Sequence, residues 1–334
     1  MKSILIIRFS SFGDVVQALN AASEIKRAHP NCHVSWITKN AFSGFLKASS
    51  CVDEVYTLED DFLGKVKSIK LFIQDNKFDI VYDAHRNLRT WLLRLSLFLS
   101  FTSVKWMYRP KSRLKRFLFF KLKINLFPNP FFAKDSYLYP IKSLLMPDAL
   151  NSEQAVEMNY SEIDVGKFSF IDKPYLLFAP SAAWEMKRWP INHWKDLVKN
   201  LSDFIPIVFV GGPNDKFISE LYDHQNKNIK NLTGQTSFLE TFFLVENAIY
   251  TLSADTGVIH VAEILGKNGG LLQGPTAFGR IKKSSIRVFE AGLPCSPCSK
   301  DGRGKCSRAI YQECMTLLSP KSVESDIRKV ASLR

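Results

Sequence analysis

The sequence predicts an α/β protein made of two doubly wound halves, each built on a parallel sheet. Apolar, β-branched segments alternate with segments of helical periodicity, short polar turns follow the apolar segments, and the pattern breaks off and then restarts. Strands that alternate with helices form parallel sheets through right-handed crossovers. The length of 334 residues suits two domains of about 150 residues each. We place the N-terminal domain at 1–165 and the C-terminal domain at 166–334.

The first half opens as a strand, a turn and a helix. Residues 3–8 are apolar and β-branched, as a buried parallel strand would be. Residues 10–14 form the turn, and apolar residues then recur at helical spacing over 15–25 until Pro30. Further strands are predicted at 33–37 and 79–83.

The second half follows a weakly patterned stretch, residues 134–173, which we interpret as a linker because of its prolines and polar run. The predicted elements after it are strands at 175–179, 205–210, 249–253 and 270–275 and helices at 191–201, 238–248 and 256–265. We also expect the last helix of the chain to pack back on the N-terminal domain.

Composition excludes several classes of protein. With 46% apolar and 23% charged residues the chain is neither disordered nor fibrous. The longest charge-free apolar stretch near the front, residues 95–104, is well short of the ~20 residues that a membrane-spanning helix needs. The N-terminus lacks the features of a signal peptide, so we expect a cytosolic protein.

The net charge of +13 comes from one segment. Between Asp83 and Asp135 there is no acidic residue, while outside this window 33 basic residues face 32 acidic ones. The twelve basic residues of the window are Arg86, Arg89, Arg94, Lys105, Arg109, Lys111, Arg113, Lys115, Arg116, Lys121, Lys123 and Lys134. A localised field of one sign attracts ligands of the other, which predicts an anionic partner surface.

The first candidate for chemistry is the turn after the first strand, because ligands of open α/β sheets bind at the carboxyl ends of strands. This turn, residues 10–14, holds one glycine and lacks the dinucleotide fingerprint, which disfavours an NAD site. Asp14 has two interpretations. It complements the dipole of the following helix, or it serves as a general base that takes a proton from a hydroxyl.

Two more candidates follow strands of the second half. Lys187, between two tryptophans, is either a surface lysine or a point charge for a phosphate. Residues 253–260 form a small-residue turn into a helix, whose exposed N–H groups suit an anion. There Asp255 is a helix N-cap, a ligand contact or both, and His260 is either structural or functional.

Four of the six cysteines lie within twenty residues, at Cys295, Cys298, Cys306 and Cys314. In a cytosolic chain this density favours a structural zinc or iron–sulfur site over disulfides. The spacing beyond the first pair is not diagnostic, so free or redox-labile thiols remain the alternative.

In their order and spacing, five stretches together resemble one family over nearly the whole chain: the bacterial lipopolysaccharide heptosyltransferases, inverting transferases of the GT-B fold. The stretches are ILIIRFSSFGDVVQALNAASEIKRAHP, WEMKRWPINHW, VGGPNDKF, NLTGQTSFLETFFLVENAIYTLSADTGVIHVAEILG and QGPT. The resemblance implies two Rossmann-like domains that face each other across a cleft, the N-terminal one for the acceptor and the C-terminal one for the nucleotide sugar.

The resemblance also implies roles for single residues. Asp14 corresponds to the general base and Lys187 to the lysine on the donor phosphate, and both are assigned to catalysis. Asp255, Thr256 and Gly257 correspond to the turn that holds the diphosphate and the sugar. The other residues assigned to the donor are Ser10, Ser11, Gly13, Ser181, His260, Asp215 near the ribose, and Thr236 and Ser237 near the adenine.

The implied donor is ADP-L-glycero-D-manno-heptose, and the implied acceptor is the Kdo or heptose of the inner core on lipid A. No Asp-x-Asp pair follows a strand of the C-terminal half, so we expect no catalytic divalent metal and no cofactor. Two alternatives remain: a GT-B transferase for another nucleotide sugar, and a non-catalytic membrane-associated binding protein.

Cations and large apolar residues interleave over residues 109–121. Read as a helix, this segment is of the kind that lies on anionic membranes, although a solvated charged face is an equally good interpretation. The residues assigned to the acceptor or the membrane are Arg109, Lys111, Arg113, Lys115 and Arg116. No nucleic-acid motif accompanies the charge. We therefore expect a cytoplasmic protein, peripheral on the inner face of the inner membrane.

Overall fold

The computed structural model describes residues 1–58, 62–99, 104–128 and 130–332. The chain divides into two compact units, and each combines two separate stretches of sequence. Unit 1 comprises Met1–Ser112 and Lys134–Tyr160, and unit 2 comprises Arg113–Ala133 and Ser161–Arg334. The predicted boundary after residue 165 therefore differs by five residues, and the prediction did not include the excursion of Arg113–Ala133 into unit 2.

Unit 1 is built on a parallel sheet in the order β3-β2-β1-β4-β5. Its strands are β1 (Ser3–Ile7), β2 (His33–Lys39), β3 (Glu54–Leu58), β4 (Ile80–Asp83) and β5 (Lys105–Tyr108). The helices of the first half of the chain are α1 (Phe12–Ala28), α2 (Ser43–Lys47), α3 (Phe62–Asn76), α4 (Leu88–Phe98), α5 (Arg113–Leu122) and α6 (Ala133–Leu138), of which α5 lies in unit 2.

Unit 2 is built on a second parallel sheet, in the order β11-β10-β9-β6-β7-β8. Its strands are β6 (Leu176–Ala179), β7 (Ile207–Phe209), β8 (Ile229–Asn231), β9 (Tyr250–Ala254), β10 (Gly269–Gln273) and β11 (Ile286–Glu290). Its further helices are α7 (Ile191–Leu201), α8 (Phe238–Asn247), α9 (Gly257–Ile264), α10 (Glu313–Thr316) and α11 (Pro320–Val330). The predicted α/β class with two parallel sheets is thus confirmed.

The central strands are buried over most of their length because helices cover both faces of each sheet. Residues 4–7 of β1 and all of β6 are buried. Each strand order is that of a doubly wound fold, which has a point where the order of successive strands reverses across the sheet. This point lies between β1 and β4 in unit 1 and between β6 and β9 in unit 2.

The last helix packs within unit 2. Helix α11 lies against α7, which buries Trp194, Leu197, Val198 and Leu201 along one face. The Nε1–H of Trp189, just before α7, donates to the carbonyl of Leu318, 2.9 Å away.

The prediction of a linker over 134–173 is corrected by the structure, because this stretch contains most of α6 and short 3-10 turns. Among the described helices, none is long and apolar enough to cross a membrane.

Candidate active site

The predicted site residues lie where the strand order of each sheet reverses. In unit 1, β1 leads into the turn before α1, with Asp14 in the first turn of that helix. In unit 2, β6 leads toward Lys187, and β9 leads into Asp255 and α9. Parallel strands end at one edge of their sheet, so each fold gathers its polar side chains at the edge that binds ligands in this class.

Asp14 is held by three side chains of unit 1. Its Oδ2 lies 2.6 Å from the Arg8 guanidinium and accepts a hydrogen bond from the Ser11 hydroxyl at 3.0 Å. Its Oδ1 accepts a hydrogen bond from the Tyr137 hydroxyl at 2.7 Å. The carboxylate still exposes 38% of its side chain, so it is fixed in place and open to solvent on one side.

These contacts keep Asp14 ionised. Partial burial by itself would raise the pKa of the carboxyl, but the positive charges of Arg8 and Arg109 and the bond from Tyr137 outweigh burial and lower that pKa. A carboxylate has about four lone-pair positions, of which the three contacts occupy three. Asp14 can therefore accept one more hydrogen bond, such as one from a substrate hydroxyl.

Tyr137 was missed by the sequence analysis. It is fully buried, and the Arg109 guanidinium lies 3.8 Å from its ring centroid while bonding to the Ser136 hydroxyl. Arg109 was assigned to the acceptor or the membrane from its place in a run of charges. The structure places it on Tyr137, where it contributes to the field at Asp14.

His85, just past β4, is a second missed neighbour of Asp14. Burial, followed by the charges of Arg8 and Lys111, lowers the pKa of His85 to about 3, so the imidazole is neutral at physiological pH. Its ring lies 4.9 Å from that of Phe9, and its buried Nδ1 has no hydrogen-bond partner among the described residues. The histidine follows a strand end, which is the one sequence signal that could have singled it out.

In unit 2, Lys187, Asp255 and His260 are brought together as the sequence predicted. The ammonium of Lys187 lies 3.0 Å from Asp255 Oδ2, and each side chain is at most 14% exposed. His260 Nε2 lies 3.6 Å from Asp255 Oδ1, and its Nδ1 lies 3.1 Å from Glu263. Lys187 is thus not a surface lysine, and the histidine links two carboxylates.

The charges of this cluster are strongly coupled. Burial alone would lower the pKa of His260, but Asp255 and Glu263 raise it to about 9, so the imidazole is a cation at neutral pH. Burial would raise the pKa of Asp255, yet Lys187, His260 and the Thr276 hydroxyl, 2.7 Å away, lower it far below its usual range. The cluster therefore holds two cations, Lys187 and His260, around Asp255, with Glu263 at the other ring nitrogen of the histidine.

The N-terminus of α9 lies beside this cluster. Its N-cap is Thr256 and not Asp255, which corrects one interpretation of the sequence. The Thr256 hydroxyl pairs with Ser253 Oγ at 2.8 Å and does not cap the helix, so no N-cap side chain satisfies the N–H groups of the first turn. With Gly257 as the first helical residue, the end of the helix is a suitable place for an anion.

Two glycines allow the backbone to approach the cluster closely. A Cβ on Gly279 would lie 1.9 Å from Asp255 Oδ1, and one on Gly302 would lie 2.6 Å from Lys187 Cγ. Gly302 also has a φ of +91°, which side chains rarely adopt. Neither glycine was predicted, because both come from loops far away in sequence.

The remaining residues assigned to the donor make other contacts. Ser181 donates to Asp215, which also accepts the N–H of Gly212 at 2.7 Å, so the pair ties the loop after β6 to the loop after β7. Ser237 is the N-cap of α8 in a capping box with Glu240, and Thr236 lies 3.4 Å from the Thr241 hydroxyl. Ser10, Ser11 and Gly13 lie in unit 1 beside Asp14, apart from the Lys187 cluster in sequence and in unit.

The basic segment splits between the units, with Lys111 in unit 1 and Arg113 onward in unit 2. On α5, Arg113 and Lys115 are exposed, while the Arg116 guanidinium lies 4.7 Å from the Phe278 ring centroid. Phe120 packs edge-on against the same ring. Leu114 and Phe117 are 70% and 55% exposed, and α5 has no buried residue. The helix therefore lies on the surface of unit 2, with Arg116 and Phe120 against Phe278 and a mixed basic and apolar face in solvent.

The four clustered cysteines are free. Burial and the three neighbouring thiols raise the pKa of Cys314 to about 11. In the part of the chain that the structure describes, no three or more His, Cys, Asp or Glu side chains are arranged to hold a metal ion.

Comparison with known proteins defines the family of this chain. The model of glycosyltransferase family 9 (heptosyltransferase) matches residues 132–307, more than half of the chain. The chain is 23% identical to lipopolysaccharide heptosyltransferase 1 of Pseudomonas aeruginosa, over 89% of this chain and 86% of that protein. It is 31% identical to lipooligosaccharide heptosyltransferase 2 of Haemophilus ducreyi, a match that covers only 46% of this chain and 47% of that protein.

Solved structures agree with the fold. A family 9 glycosyl transferase from Veillonella parvula superposes with a TM-score of 0.74 at 17% identity, over 100% of this chain and 98% of that one. ADP-heptose LPS heptosyltransferase II from E. coli superposes with a TM-score of 0.70 at 18% identity, over 99% and 98%.

The protein is therefore a glycosyltransferase with the GT-B fold class. It belongs to glycosyltransferase family 9, the heptosyltransferase family.

Proposed function

We propose that the protein transfers heptose from ADP-L-glycero-D-manno-heptose to the Kdo or heptose of the lipopolysaccharide inner core, with inversion at the anomeric carbon. The lipopolysaccharide heptosyltransferases among its relatives support this choice of substrates. The observation that carries the proposal is the Lys187–Asp255–His260 cluster beside the open N-terminus of α9.

The donor side follows from the charge that develops in the reaction. As the bond between the anomeric carbon and the phosphate oxygen breaks, ADP leaves with the electron pair, and negative charge grows on its β-phosphate. Lys187 and the first N–H groups of α9 are fixed donors, and protonated His260 adds positive charge beside them. Together they would stabilise the growing charge of the leaving ADP more strongly than the smaller charge of the intact donor. Asp255 positions both cations without filling the helix end.

The acceptor side requires a base for the attacking hydroxyl. In the proposed step the acceptor oxygen bonds to the anomeric carbon as its proton passes to Asp14. Arg8 and Tyr137 hold the carboxylate ionised and fixed, with one lone-pair position left. No step in this scheme requires a divalent metal, so transfer should persist in EDTA.

The first test asks whether the Lys187–Asp255–His260 cluster binds the nucleotide of the donor. ADP should raise the melting temperature, since a ligand that binds only the folded state stabilises it by mass action. UDP and GDP should not. Lys187→Met should lower kcat about a hundredfold, as the loss of one transition-state donor typically does. A larger shift with UDP or GDP would indicate the alternative, a transferase for another nucleotide sugar.

The base is tested separately. Asp14→Asn should lower transfer at least about a hundredfold and leave the ADP-induced melting shift intact. Equal loss of both would contradict the base assignment. An unmodified protein that binds ADP but never transfers a sugar would favour the remaining alternative, a non-catalytic binding protein.

We further propose that the enzyme works in the cytoplasm at the inner face of the inner membrane, where its lipid-linked acceptor would lie. The exposed face of α5, with Arg113, Lys115, Leu114 and Phe117, supports contact with anionic lipid. Mass spectrometry of lipopolysaccharide from cells that lack this protein identifies the acceptor position. If the lipopolysaccharide core from these cells had an unchanged mass, this result would contradict the proposed acceptor.

A further inference from the structure

Helix α4 presents an apolar stripe to solvent. Five large apolar residues lie three or four residues apart, or next to each other, along one face of the helix and its C-cap. They are Leu88, Trp91, Leu95, Phe98 and Leu99, which are 70%, 55%, 39%, 77% and 69% exposed. The opposite face is buried through Thr90, Leu93 and Leu97. Unit 1 thus anchors the helix by one face and leaves the other without cover among the described residues.

The charge of α4 and of the sequence around it has a single sign. Arg89 and Arg94 are exposed on α4 itself, and the Arg94 guanidinium lies 5.0 Å from the Tyr108 ring centroid. Residues 84–134 contain no Asp or Glu. A second copy of the chain docked on this face would bring like charges together, whereas an anionic surface would complement them.

The helix is built to lie on a lipid surface and not to cross one. Its eleven residues extend about 17 Å, against a hydrocarbon core of about 30 Å. Leu, Trp and Phe on one side with Arg at the margins is the composition of helices that lie in the membrane interface. Trp91 also suits the interface because its ring is apolar and its Nε1–H is polar.

We propose that α4 is a membrane-docking helix, which inserts Trp91, Leu95 and Phe98 into the outer part of an anionic lipid leaflet. The proposal rests on the membrane location proposed above and identifies a surface for it in unit 1. It does not depend on which sugar is transferred. Each large side chain buried in lipid adds a hydrophobic contribution, and the arginines add attraction to anionic headgroups.

The experiment measures cosedimentation of the full-length protein with vesicles of phosphatidylcholine containing phosphatidylglycerol, and with pure phosphatidylcholine. The unmodified protein should bind the anionic vesicles and bind them less at high salt. For the variant Trp91→Ser/Phe98→Ser, binding to the anionic vesicles should be weaker by about tenfold or more. The control is Ile310→Ser/Tyr311→Ser, which removes apolar side chains of similar exposure, 59% and 48%, from unit 2 and should bind as the unmodified protein does.

Folding and function are followed in the same samples. The α4 variant should keep its melting temperature and its ADP-induced shift, so that a loss of vesicle binding is not a loss of fold. If ADP did not raise the melting temperature of the unmodified protein, the proposed function would fail, and the docking proposal would not be affected.

Three results would overturn the docking proposal. One is an α4 variant that binds anionic vesicles as tightly as the unmodified protein does. Another is equal binding of the unmodified protein to neutral and anionic vesicles. The third is a dimer of the unmodified protein, seen by light scattering, that the α4 substitutions dissociate, because α4 would then be an interface between copies.

Discussion

At the scale of single residues, the two carboxylates Asp14 and Asp255, one in each unit, have the same charge state for different reasons. Asp14 has its pKa lowered by Arg8 and Arg109 against partial burial and keeps one side open. Asp255 is enclosed by Lys187, His260 and Thr276 and is 13% exposed. A base such as Asp14 must be open to the substrate, whereas a positioning group such as Asp255 must be held still. The two carboxylates are therefore distinguished by their exposure, because the pKa of both is lowered.

Tyr137→Phe tests how Asp14 is positioned. The change removes the 2.7 Å hydrogen bond to Oδ1 and leaves the ring under Arg109. A hydrogen bond to a charged group contributes about 1.5–3 kcal/mol, so we expect kcat to fall about tenfold or more while KM for the donor is unchanged. The matched control is Tyr56→Phe, whose hydroxyl bonds to Ser68 elsewhere in unit 1. A fall in kcat of the same size in both variants would argue against a specific effect on Asp14.

The raised pKa of His260 predicts how stability depends on pH. Its folded pKa of about 9 lies above the unfolded value near 6.5. The stabilisation is therefore complete below pH 6.5, declines as the pH rises toward 9, and is absent above it. The slope is at most about 1.4 kcal/mol per pH unit for one proton. Urea unfolding between pH 6 and 10 should show this decline in the unmodified protein, and His260→Gln should flatten it. Parallel curves for the two proteins would contradict a raised pKa.

At the scale of elements, local patterns were predictable and distant partners were not. The helix predicted at 191–201 is the observed α7, and the strands of both sheets fall within two residues of their predicted ends where they were predicted. These elements follow from apolar periodicity, which is a local property. The same locality explains why the turns before α1 and α9 could be singled out as candidate binding sites.

The misses are contacts between residues far apart in sequence. Tyr137 lies on α6, a six-residue helix in a stretch with prolines, too short for its period to be seen. Arg109 could not be separated from the other cations of its run, because sequence does not show which of them turns toward a buried ring. Gly302 meets Lys187 across 115 residues of chain.

Gly302→Ala tests whether that approach positions Lys187. The new Cβ would come within 2.6 Å of Lys187 Cγ, so the lysine must shift, and we expect Kd for ADP to rise about tenfold, or 1.4 kcal/mol. Gly304→Ala is the control, because Gly304 also has a positive φ, +114°, but nothing lies within 4 Å of its added Cβ. Both variants carry backbone strain, so only a difference between them in ADP titrations supports the contact. Equal Kd values would mean that strain alone acts.

At the scale of the whole molecule, the units are not consecutive halves of the sequence. The chain leaves unit 1 after Ser112, enters unit 2 as Arg113–Ala133, and returns at Lys134 before unit 2 resumes at Ser161. The inserted stretch is held in unit 2 by Phe rings, since Phe120, Phe127 and Phe131 all lie within 6 Å of Phe278. A basic, aromatic segment that looked like a surface feature of the N-terminal domain thus packs on unit 2 through its aromatic side chains.

Hydrogen exchange with and without ADP tests this division. If ADP binds the Lys187 cluster, it stabilises every segment that unfolds cooperatively with unit 2. The backbone amides of all these segments should then be better protected against hydrogen exchange. Peptides from Arg113–Ala133 should therefore gain protection together with peptides from α7, α8 and α9. Peptides from α1 and β2 should change little, and they serve as the internal control. If Arg113–Ala133 instead exchanged like α1, the segment would belong energetically to unit 1, and the Phe278 contacts would be too weak to couple it to unit 2.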